Sequence, residues 1–267
     1  MKQLIETTDK MNTVESLSDS LKQMGVQVGK PLLVHSSLSA LGWTNGGSVA
    51  VIQALIEVVT EEGTLVMPTQ SGDLSDPKNW QSPAVPKEWW EEIRSTMPTY
   101  DPDKTPTCGM GQIAELFRTW PGVIRSGHPS LSFAAWGKSN AEIMADHPIA
   151  FGLGEASPLA KLYDADAYVL FLGTQYDTNT CFHLGEYRAP SYDLQWQGAP
   201  VTCNGQSQWM TYRDIIFAEE EFSKMGNAFE QKYEVVKGQV GQAETRLFSL
   251  RQAVDFSTQW FTEKRKG

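Results

Sequence analysis

Apolar and polar residues follow two regular spacings in the first part of the chain. From Val14 to Met24 apolar side chains recur every three or four positions, which predicts an amphipathic helix. Compact apolar runs at 31–35 and 64–67 predict two buried strands, and the stretch 48–61 between them predicts a helix. A strand–helix–strand unit of this kind joins parallel strands by a right-handed crossover. We therefore expect the loops that follow the two strands to lie at one edge of a sheet, where ligands bind in such folds.

The rest of the chain carries the same two spacings with one interruption. Between residues 70 and 106, prolines and tryptophans break the pattern, which predicts an excursion over the sheet that serves as a lid, a binding wall or a plain surface insertion. We predict an α/β fold, with one domain over residues 1–267 and a central mixed, largely parallel sheet flanked by helices. The further predicted elements are a helix at 110–120, a strand ending at Gly137, short helices at 138–146 and 157–163, a strand at 168–172, a hairpin around Asn204-Gly205 and helical segments from Arg213 onwards.

Composition and charge narrow the classes of function. The chain has 22 Lys and Arg against 32 Asp and Glu, a formal net charge of −10, and 40% hydrophobic residues, as in a globular protein with an ample core. The negative charge disfavours nucleic acid or an anionic membrane as a partner and favours a small cationic one. The most apolar stretch, 49–59, is too short to span a bilayer. Because the three cysteines are far apart and the N-terminus has no apolar signal region, we expect a cytoplasmic protein.

A histidine and a glutamate follow the buried strand at 168–172. Thr180 is a favourable N-cap residue, and a helix that begins near it places His183 and Glu186 three residues apart on one face. The positive end of the helix dipole disfavours the imidazolium form, so we expect a ring that is neutral near pH 7 and oriented by a carboxylate. Such a ring is a general base. The residues alone leave open a second interpretation, a capped structural helix with a half-buried histidine.

Other kinds of chemistry have less support in the sequence. The four histidines show no metal-binding spacing, so no metal site is expected. On the predicted helix Cys181 and His183 are roughly 200° apart, which argues against a cysteine nucleophile activated by that histidine. The serine-rich loop at 35–47 offers hydroxyl and backbone N–H groups ahead of a helix, a combination that suits a phosphate group, although it lacks a Walker lysine.

Four blocks of residues carry a resemblance to a known family. They are Val-His-Ser-Ser-Leu-Ser-Ala-Leu-Gly at 34–42 with Gly46-Gly47, Val-Met-Pro-Thr at 66–69, Arg-Ser-x-His-Pro-x-x-Ser at 125–132 and Asn-Thr-x-x-His-x-x-Glu at 179–186. In order and spacing they resemble the aminoglycoside 3-N-acetyltransferase family over nearly the whole chain, with the strongest similarity to its Bacillus members. The resemblance implies an acetyl-CoA-dependent N-acetyltransferase, with CoA and a polycationic amine as partners and with a homodimer left open as its assembly.

The resemblance also implies roles for individual residues. Its coenzyme site corresponds to a set in the first two blocks, namely Ser36, Ser37, Leu38, Ser39, Gly42, Met67, Pro68 and Thr69. His35 borders this set and is predicted to contact the coenzyme, with a backbone-paired structural histidine as the alternative. His183 corresponds to the catalytic base, and Glu186 or Asp177 would orient its ring. Asp73 is the candidate for binding a substrate ammonium group, with a turn-capping role as the alternative.

These assignments predict a direct transfer between two bound substrates. Acetyl-CoA and a 2-deoxystreptamine aminoglycoside would bind together, and His183 would remove a proton from the 3-amine as it attacks the thioester carbonyl. Backbone N–H groups or the hydroxyls of Thr69 and Ser71 would receive the oxyanion. Two alternatives keep the same pocket: transfer to a different small amine, and binding of CoA without turnover.

Overall fold

Seven strands form one sheet in the computed structural model, which describes residues 2–266, and two further strands form a separate hairpin. The strands are β1 (Pro31–Ser36), β2 (Thr64–Pro68), β3 (Ile124–Arg125), β4 (Phe133–Gly137), β5 (Tyr168–Leu172), β6 (Leu194–Cys203), β7 (Gln206–Ile215), β8 (Val236–Val240) and β9 (Ala243–Ser249). The α-helices are α1 (Lys2–Glu6), α2 (Val14–Gln23), α3 (Gly47–Val59), α4 (Trp90–Thr96), α5 (Gly111–Phe117), α6 (Asn140–Met144), α7 (Pro158–Asp164), α8 (Cys181–Arg188), α9 (Phe222–Lys232) and α10 (Leu250–Lys264). Short 3₁₀ turns lie at Leu38–Leu41, Pro77–Asn79, Lys87–Trp89, Tyr176–Thr178 and Glu219–Glu221.

The strand order places three parallel strands at the centre of the sheet. The order is β3-β4-β2-β1-β5-β9-β8, with β1 parallel to both β2 and β5. Strands β4 and β9 pair antiparallel on either side of this centre. The predicted mixed sheet is confirmed, and so is the parallel β1–α3–β2 unit. Because β2, β1 and β5 run in one direction, their carboxyl ends, at Pro68, Ser36 and Leu172, lie at one edge of the sheet.

Helices cover both faces of the sheet because successive strand residues point into two different cores. Leu33 of β1 and Val169 of β5 belong to a core shared with helices α6 to α10. Their neighbours Leu32 and Leu170 belong to a second core with α2, α3 and α5. Burial on both faces explains why these strands appear in the sequence as continuous apolar runs. No helix within residues 2–266 has both the length and the apolar character that a membrane span requires.

The C-terminal part of the chain differs from the prediction. Only helical segments are predicted from Arg213 onwards, but β8 and β9 form a hairpin between α9 and α10. Strand β9 carries Glu244 and Arg246 among its apolar residues, so its sequence has no strong strand signal. Its pairing with β5 decides the conformation, since strand formation depends more on the partner strand than on intrinsic preference. That part of the prediction is wrong for this reason.

A buried arginine holds the excursion between residues 70 and 106 against the sheet. The excursion contains α4, and the side-chain amide of Asn79 joins it to β6 by two hydrogen bonds. The guanidinium group of Arg125 donates to the carbonyl oxygens of Thr69, at 2.6 Å, and of Thr105. It also donates to the hydroxyl oxygen of Ser71, at 2.9 Å. Arg125 therefore ties both ends of the excursion to the carboxyl end of β2.

Helix α8 lies directly against α10 at Gly185. A Cβ atom added at Gly185 would overlap the Oγ atom of Ser257 and would lie 2.7 Å from the backbone nitrogen of Thr258. Only a residue without a side chain permits this approach. Since α8 also carries His183 and Glu186, its contact with α10 sets how deeply these two side chains lie in the molecule.

We expect Gly185→Ala to destabilise the fold by about 1–3 kcal/mol, the usual cost of overpacking a core. The added methyl group has no space between α8 and α10, so the helices must move apart. Urea unfolding followed by circular dichroism measures the loss. Gly72→Ala is the control, because Gly72 is exposed and a Cβ atom there meets no atom within 4 Å. An unchanged unfolding midpoint for Gly185→Ala would contradict the close helix contact.

Candidate active site

The loops that follow β1, β2 and β5 enclose a cavity at the carboxyl edge of the sheet. Its volume is about 940 Å³, which is within the usual range for small-molecule sites. The two loops predicted to share one edge, after β1 and β2, both contribute to its wall. The lining comes from 34–39, 42–44 and 47, from Pro68 and Gln70, from 109–112 and Ala114, from Thr174, 177–178, Thr180 and His183, and from Leu4, Glu219 and Phe222.

Most of the predicted site residues meet at this cavity. Those that line it are His35, Ser36, Ser37, Leu38, Ser39, Gly42, Pro68, Asp177 and His183. Glu186 is fully buried and lies directly behind His183. This clustering follows from the parallel order of β2, β1 and β5, which sends three loops to one edge of the sheet.

Three predicted residues do not reach the cavity wall. Met67 is fully buried inside β2, where it packs in the core with α2, α3 and α5. Thr69 is also fully buried, and its carbonyl oxygen accepts a hydrogen bond from Arg125. Asp73 is exposed and borders a separate surface groove formed largely by the excursion. Asp73 and His183 therefore lie at different sites.

The two hydroxyl groups predicted to receive an oxyanion also lie outside the cavity lining. The hydroxyl of Ser71 donates to the carbonyl oxygen of Pro106 at 2.6 Å and accepts from Arg125. The hydroxyl of Thr69 is buried away from the cavity, and no hydrogen-bond partner for it occurs among residues 2–266. Both hydroxyls belong to the base of the excursion, and their role toward the oxyanion stays a prediction.

The serine-rich loop after β1 is fixed against the end of β5. The N–H group of Ser37 donates to the carbonyl oxygen of Leu172 at 2.9 Å. Gly173 has a φ of +76°, and a Cβ atom there would overlap the Cβ atom of Ala40, so the close approach of the loop requires glycine. Helix α3 begins at Gly47, which lines the cavity, and the N–H groups of Gly47 and Val49 in its first turn donate to the carbonyl oxygens of Thr44 and Gly46.

His183 lies in the first turn of α8 and is only 5% exposed. Its ring packs against Phe217 and Phe222, with ring centroids 4.3 and 4.8 Å away. Its Nδ1 atom lies 3.1 Å from the Oε2 atom of Glu186, so the pair predicted from the sequence does form a hydrogen bond. A carboxylate can only accept, which assigns the proton to Nδ1 and leaves Nε2 as the atom that can exchange a proton with a ligand.

Glu186, rather than Asp177, orients the histidine ring. Asp177 lines the cavity in the turn Tyr176–Thr178, but no hydrogen bond or ion pair joins it to His183 within residues 2–266. Glu186 uses both carboxylate oxygens, since its Oε1 atom accepts from the backbone N–H of Ala218 at 2.7 Å. It therefore connects α8 to the segment that follows β7.

Glu219 is the main site residue that the sequence interpretation missed. Its Oε1 atom lies 3.4 Å from the Nε2 atom of His183, and its side chain is 64% exposed at the cavity wall. Glu219 begins a run of three glutamates in the C-terminal part of the chain. In a sequence, such a run usually indicates a solvated surface, and nothing local distinguishes Glu219 from the two glutamates after it. The hydrogen bond between Ala218 and Glu186 is what brings Glu219 to His183 in the folded chain. The segment around Met110, ahead of α5, was missed as a cavity wall as well.

The two carboxylates shift the pKa of His183 in the direction opposite to the expected one. Burial lowers the pKa of the imidazole, but the hydrogen bonds and negative charges of Glu186 and Glu219 raise it, and the net direction is upward from the ordinary value of 6.5. The pKa of Glu219 is correspondingly lowered by its hydrogen bond with His183. The helix dipole was expected to lower this pKa, but two carboxylates in contact with the ring outweigh the partial charge of a helix end.

The other three histidines are buried and neutral. Burial lowers the pKa of His35 to about 3, that of His128 to about 3 and that of His147 to about 4. His128 accepts two backbone N–H groups at Nδ1, and His147 contacts the hydroxyl of Ser126 and the carbonyl oxygen of Gly152. Both are structural. Within residues 2–266, no three His, Cys, Asp or Glu side chains are grouped as a metal site.

Comparison with known proteins gives consistent results over nearly the whole chain. Residues 33–262 match the family model described as aminoglycoside 3-N-acetyltransferase. The SPbeta prophage-derived aminoglycoside N(3')-acetyltransferase-like protein YokD of Bacillus subtilis is 54% identical over 98% of this chain and 96% of its own, and the crystal structure of the YokD protein superposes with a TM-score of 0.98. Aminoglycoside N(3)-acetyltransferase IX of Micromonospora chalcea is 32% identical over 95% of each chain. The structure of AAC-IIIb in a binary complex with CoASH covers 96% of this chain and 98% of its own at 29% identity, with a TM-score of 0.84.

A histidine titration followed by nuclear magnetic resonance tests the charge states of the site. We expect one ring to titrate with a midpoint above 6.5, because the carboxylates at His183 stabilise its imidazolium form. The other three rings should stay neutral until the pH approaches 4. His183→Gln assigns the titrating signal by removing it. A midpoint for His183 below 6.5 would contradict the contacts with Glu186 and Glu219.

Proposed function

Because the chain belongs to the aminoglycoside 3-N-acetyltransferase family, we propose that it transfers the acetyl group of acetyl-CoA to the 3-amino group of a 2-deoxystreptamine aminoglycoside. One observation carries the proposal. His183 has a carboxylate at each ring nitrogen, and it lies in the wall of the same cavity as the serine-rich loop. This arrangement combines a general base with space for an acyl donor.

The residues of the β1 loop suit the acyl donor. Ser36, Ser37 and Ser39 line the cavity, and their hydroxyls can donate to phosphate oxygens. His35 adds a neutral ring whose Nε2 atom is buried and has no hydrogen-bond partner among residues 2–266. In our proposal this atom binds an amide of the pantetheine arm. The CoASH complex of the AAC-IIIb structure supports the assignment of this coenzyme.

Glu219 and Asp177 suit a cationic acceptor. Both line the cavity, and Glu219 is largely exposed there while it contacts His183. An aminoglycoside carries several ammonium groups, and a carboxylate beside the base would hold one of them at the reacting position. The lining residues that the structure describes include no lysine or arginine, so no cation in the cavity wall opposes such a ligand.

The proposed chemistry moves one proton from the amine to the coenzyme sulfur through His183. The Nε2 atom takes a proton from the 3-amine as the amine nitrogen forms a bond to the thioester carbonyl carbon. Glu186 holds the proton at Nδ1 and stabilises the imidazolium that forms. The carbon–sulfur bond then breaks, the acetyl group stays on the amine, and the coenzyme sulfur takes the proton from Nε2 of His183 and leaves as a thiol, which returns the ring to its neutral form. The reaction therefore needs His183 unprotonated at Nε2 in the productive complex.

The release of CoA thiol from acetyl-CoA tests the function directly. It is measured against a panel of aminoglycosides and against a panel of other small amines. We expect release with aminoglycosides that carry a free 3-amino group. Release only with other amines would replace the acceptor in the proposal, and binding of CoA without release for any amine would refute the transferase activity.

Loss of the base should abolish most turnover. We expect His183→Ala to lower kcat by about 10²–10⁴, the usual contribution of a general base, while the affinity for CoA stays near that of the wild type. Isothermal titration with CoA and a urea unfolding curve serve as controls for binding and folding. Near-normal kcat in a folded variant would show that another group removes the proton.

Removal of the negative charge at Glu219 should affect the amine more than the coenzyme. We expect Glu219→Gln to raise the KM of the aminoglycoside roughly five- to tenfold, a modest effect because an exposed carboxylate is screened by solvent. The KM of acetyl-CoA should change little. Glu220→Gln is the matched control, since Glu220 is exposed and does not line the cavity. Equal effects of the two substitutions would contradict a specific role for Glu219.

A further inference from the structure

We propose that Arg265, directly after α10, is a positioning residue that keeps the His183–Glu186 pair in its working geometry and charge balance. The inference rests on the proposed function, because it concerns the same general base. Arg265 does not line the cavity, and it follows the last residue of the C-terminal helix. It would therefore act through Glu186 and not by contact with a substrate.

The contacts of Arg265 are directed at the end of α8. Its Nη1 atom donates to the backbone carbonyl oxygens of Glu186, at 3.0 Å, and of Ala189, at 3.3 Å. The last carbonyl groups of a helix have no partner within the helix, and a cation beside them is favourable. Its Nη2 atom lies 3.8 Å from the Oε1 atom of Glu186. That distance is too long for a hydrogen bond but short enough for a charge interaction in a buried place.

The residue before Arg265, Lys264, stabilises the turn that carries Glu219. Lys264 forms an ion pair with Glu221 at 2.6 Å, and Trp260 of the same helix donates to the other oxygen of Glu221. Glu221 belongs to the same turn as Glu219, which contacts the Nε2 atom of His183. The end of α10 therefore braces both segments that bring a carboxylate to the histidine ring.

Several negative charges surround His183, and Arg265 provides a positive charge that partly balances them. Glu186 of α8 and Glu219 lie at the ring nitrogens, and Asp214 of β7 also interacts with the ring charge. Asp214 accepts a hydrogen bond from Tyr187, and Asp177 lies further along the same cavity. Within residues 2–266, Arg265 provides the only lysine or arginine nitrogen within 4 Å of the three carboxylates nearest the ring. Without it, the surroundings would favour the imidazolium even more strongly, and an imidazolium cannot accept a proton.

The test measures the pKa of His183 in Arg265→Gln. Glutamine keeps amide N–H donors for the carbonyl oxygens of α8 but removes the positive charge. We expect the pKa of His183 to rise by roughly half a pH unit or more, from the loss of a nearby cation. If acetyl transfer is observed, the low-pH limb of kcat should move upward by the same amount, with KM for acetyl-CoA unchanged. At higher pH the rate should return toward the wild-type value, which a merely structural defect would not do.

Two further variants separate charge from structure. Arg265→Lys restores the charge, so the pKa of His183 should return close to the wild-type value. Arg251→Gln is the matched control, because Arg251 lies on the same helix and donates in the same way to the carbonyl oxygens of Tyr163 and Asp164 at the end of α7. It should leave the pKa of His183 unchanged.

The outcomes are distinct from those of the acetylation assay, because the histidine titration needs no substrate. An unchanged pKa of His183 in Arg265→Gln, or an equal shift in Arg251→Gln, would overturn the proposal. Arg265→Met repeats the measurement without any donor group, so a fall of the pKa in that variant would also overturn the charge role. A shift as expected together with no acetyl transfer would overturn the proposed function alone.

Discussion

The site depends on one fully buried carboxylate, that of Glu186. A buried charge costs several kcal/mol unless hydrogen bonds and opposite charges compensate it. Here His183 of α8, the backbone N–H of Ala218 and the guanidinium group of Arg265 supply that compensation from three parts of the chain. In return, the contact with Glu186 fixes the position of each of these three groups. The carboxylate therefore links His183, the turn that carries Glu219 and the C-terminal helix into one unit.

The central parallel strands determine where the cavity forms. Since β2, β1 and β5 end at one edge, a loop of serines and glycines and the start of α8 meet there. The β1 loop presents neutral hydroxyl and N–H groups, whereas the wall near His183 presents carboxylates. The cavity is thus divided into a part suited to phosphate groups and a part suited to ammonium groups. The net charge of −10 favours an ammonium group in the second part. It does not oppose a phosphate group in the first part, because the hydroxyl and N–H groups there act as local dipoles.

Glycine residues set the distances in this arrangement. Gly173 lets the β1 loop lie against the end of β5, and Gly185 lets α8 lie against α10. In both places any side chain would overlap a neighbour that belongs to another element. The depth of the cavity and the depth of His183 are therefore controlled by two backbone contacts.

The sequence by itself determined the parts that depend on local spacing. The β1–α3–β2 unit, the strand β5 and the placement of His183 and Glu186 on one helix face follow from apolar periodicity and from the helical repeat. The motif blocks assigned the family, which the comparisons support. The tertiary structure decided whatever depends on residues distant in the chain. It formed β9 by pairing it with β5, and it placed Met67, Thr69 and Asp73 away from the cavity wall. It also brought Glu219 to His183 and Arg265 to Glu186. The charge of His183 belongs to the second group, because the pKa of a buried histidine is set by the carboxylates that folding brings to it.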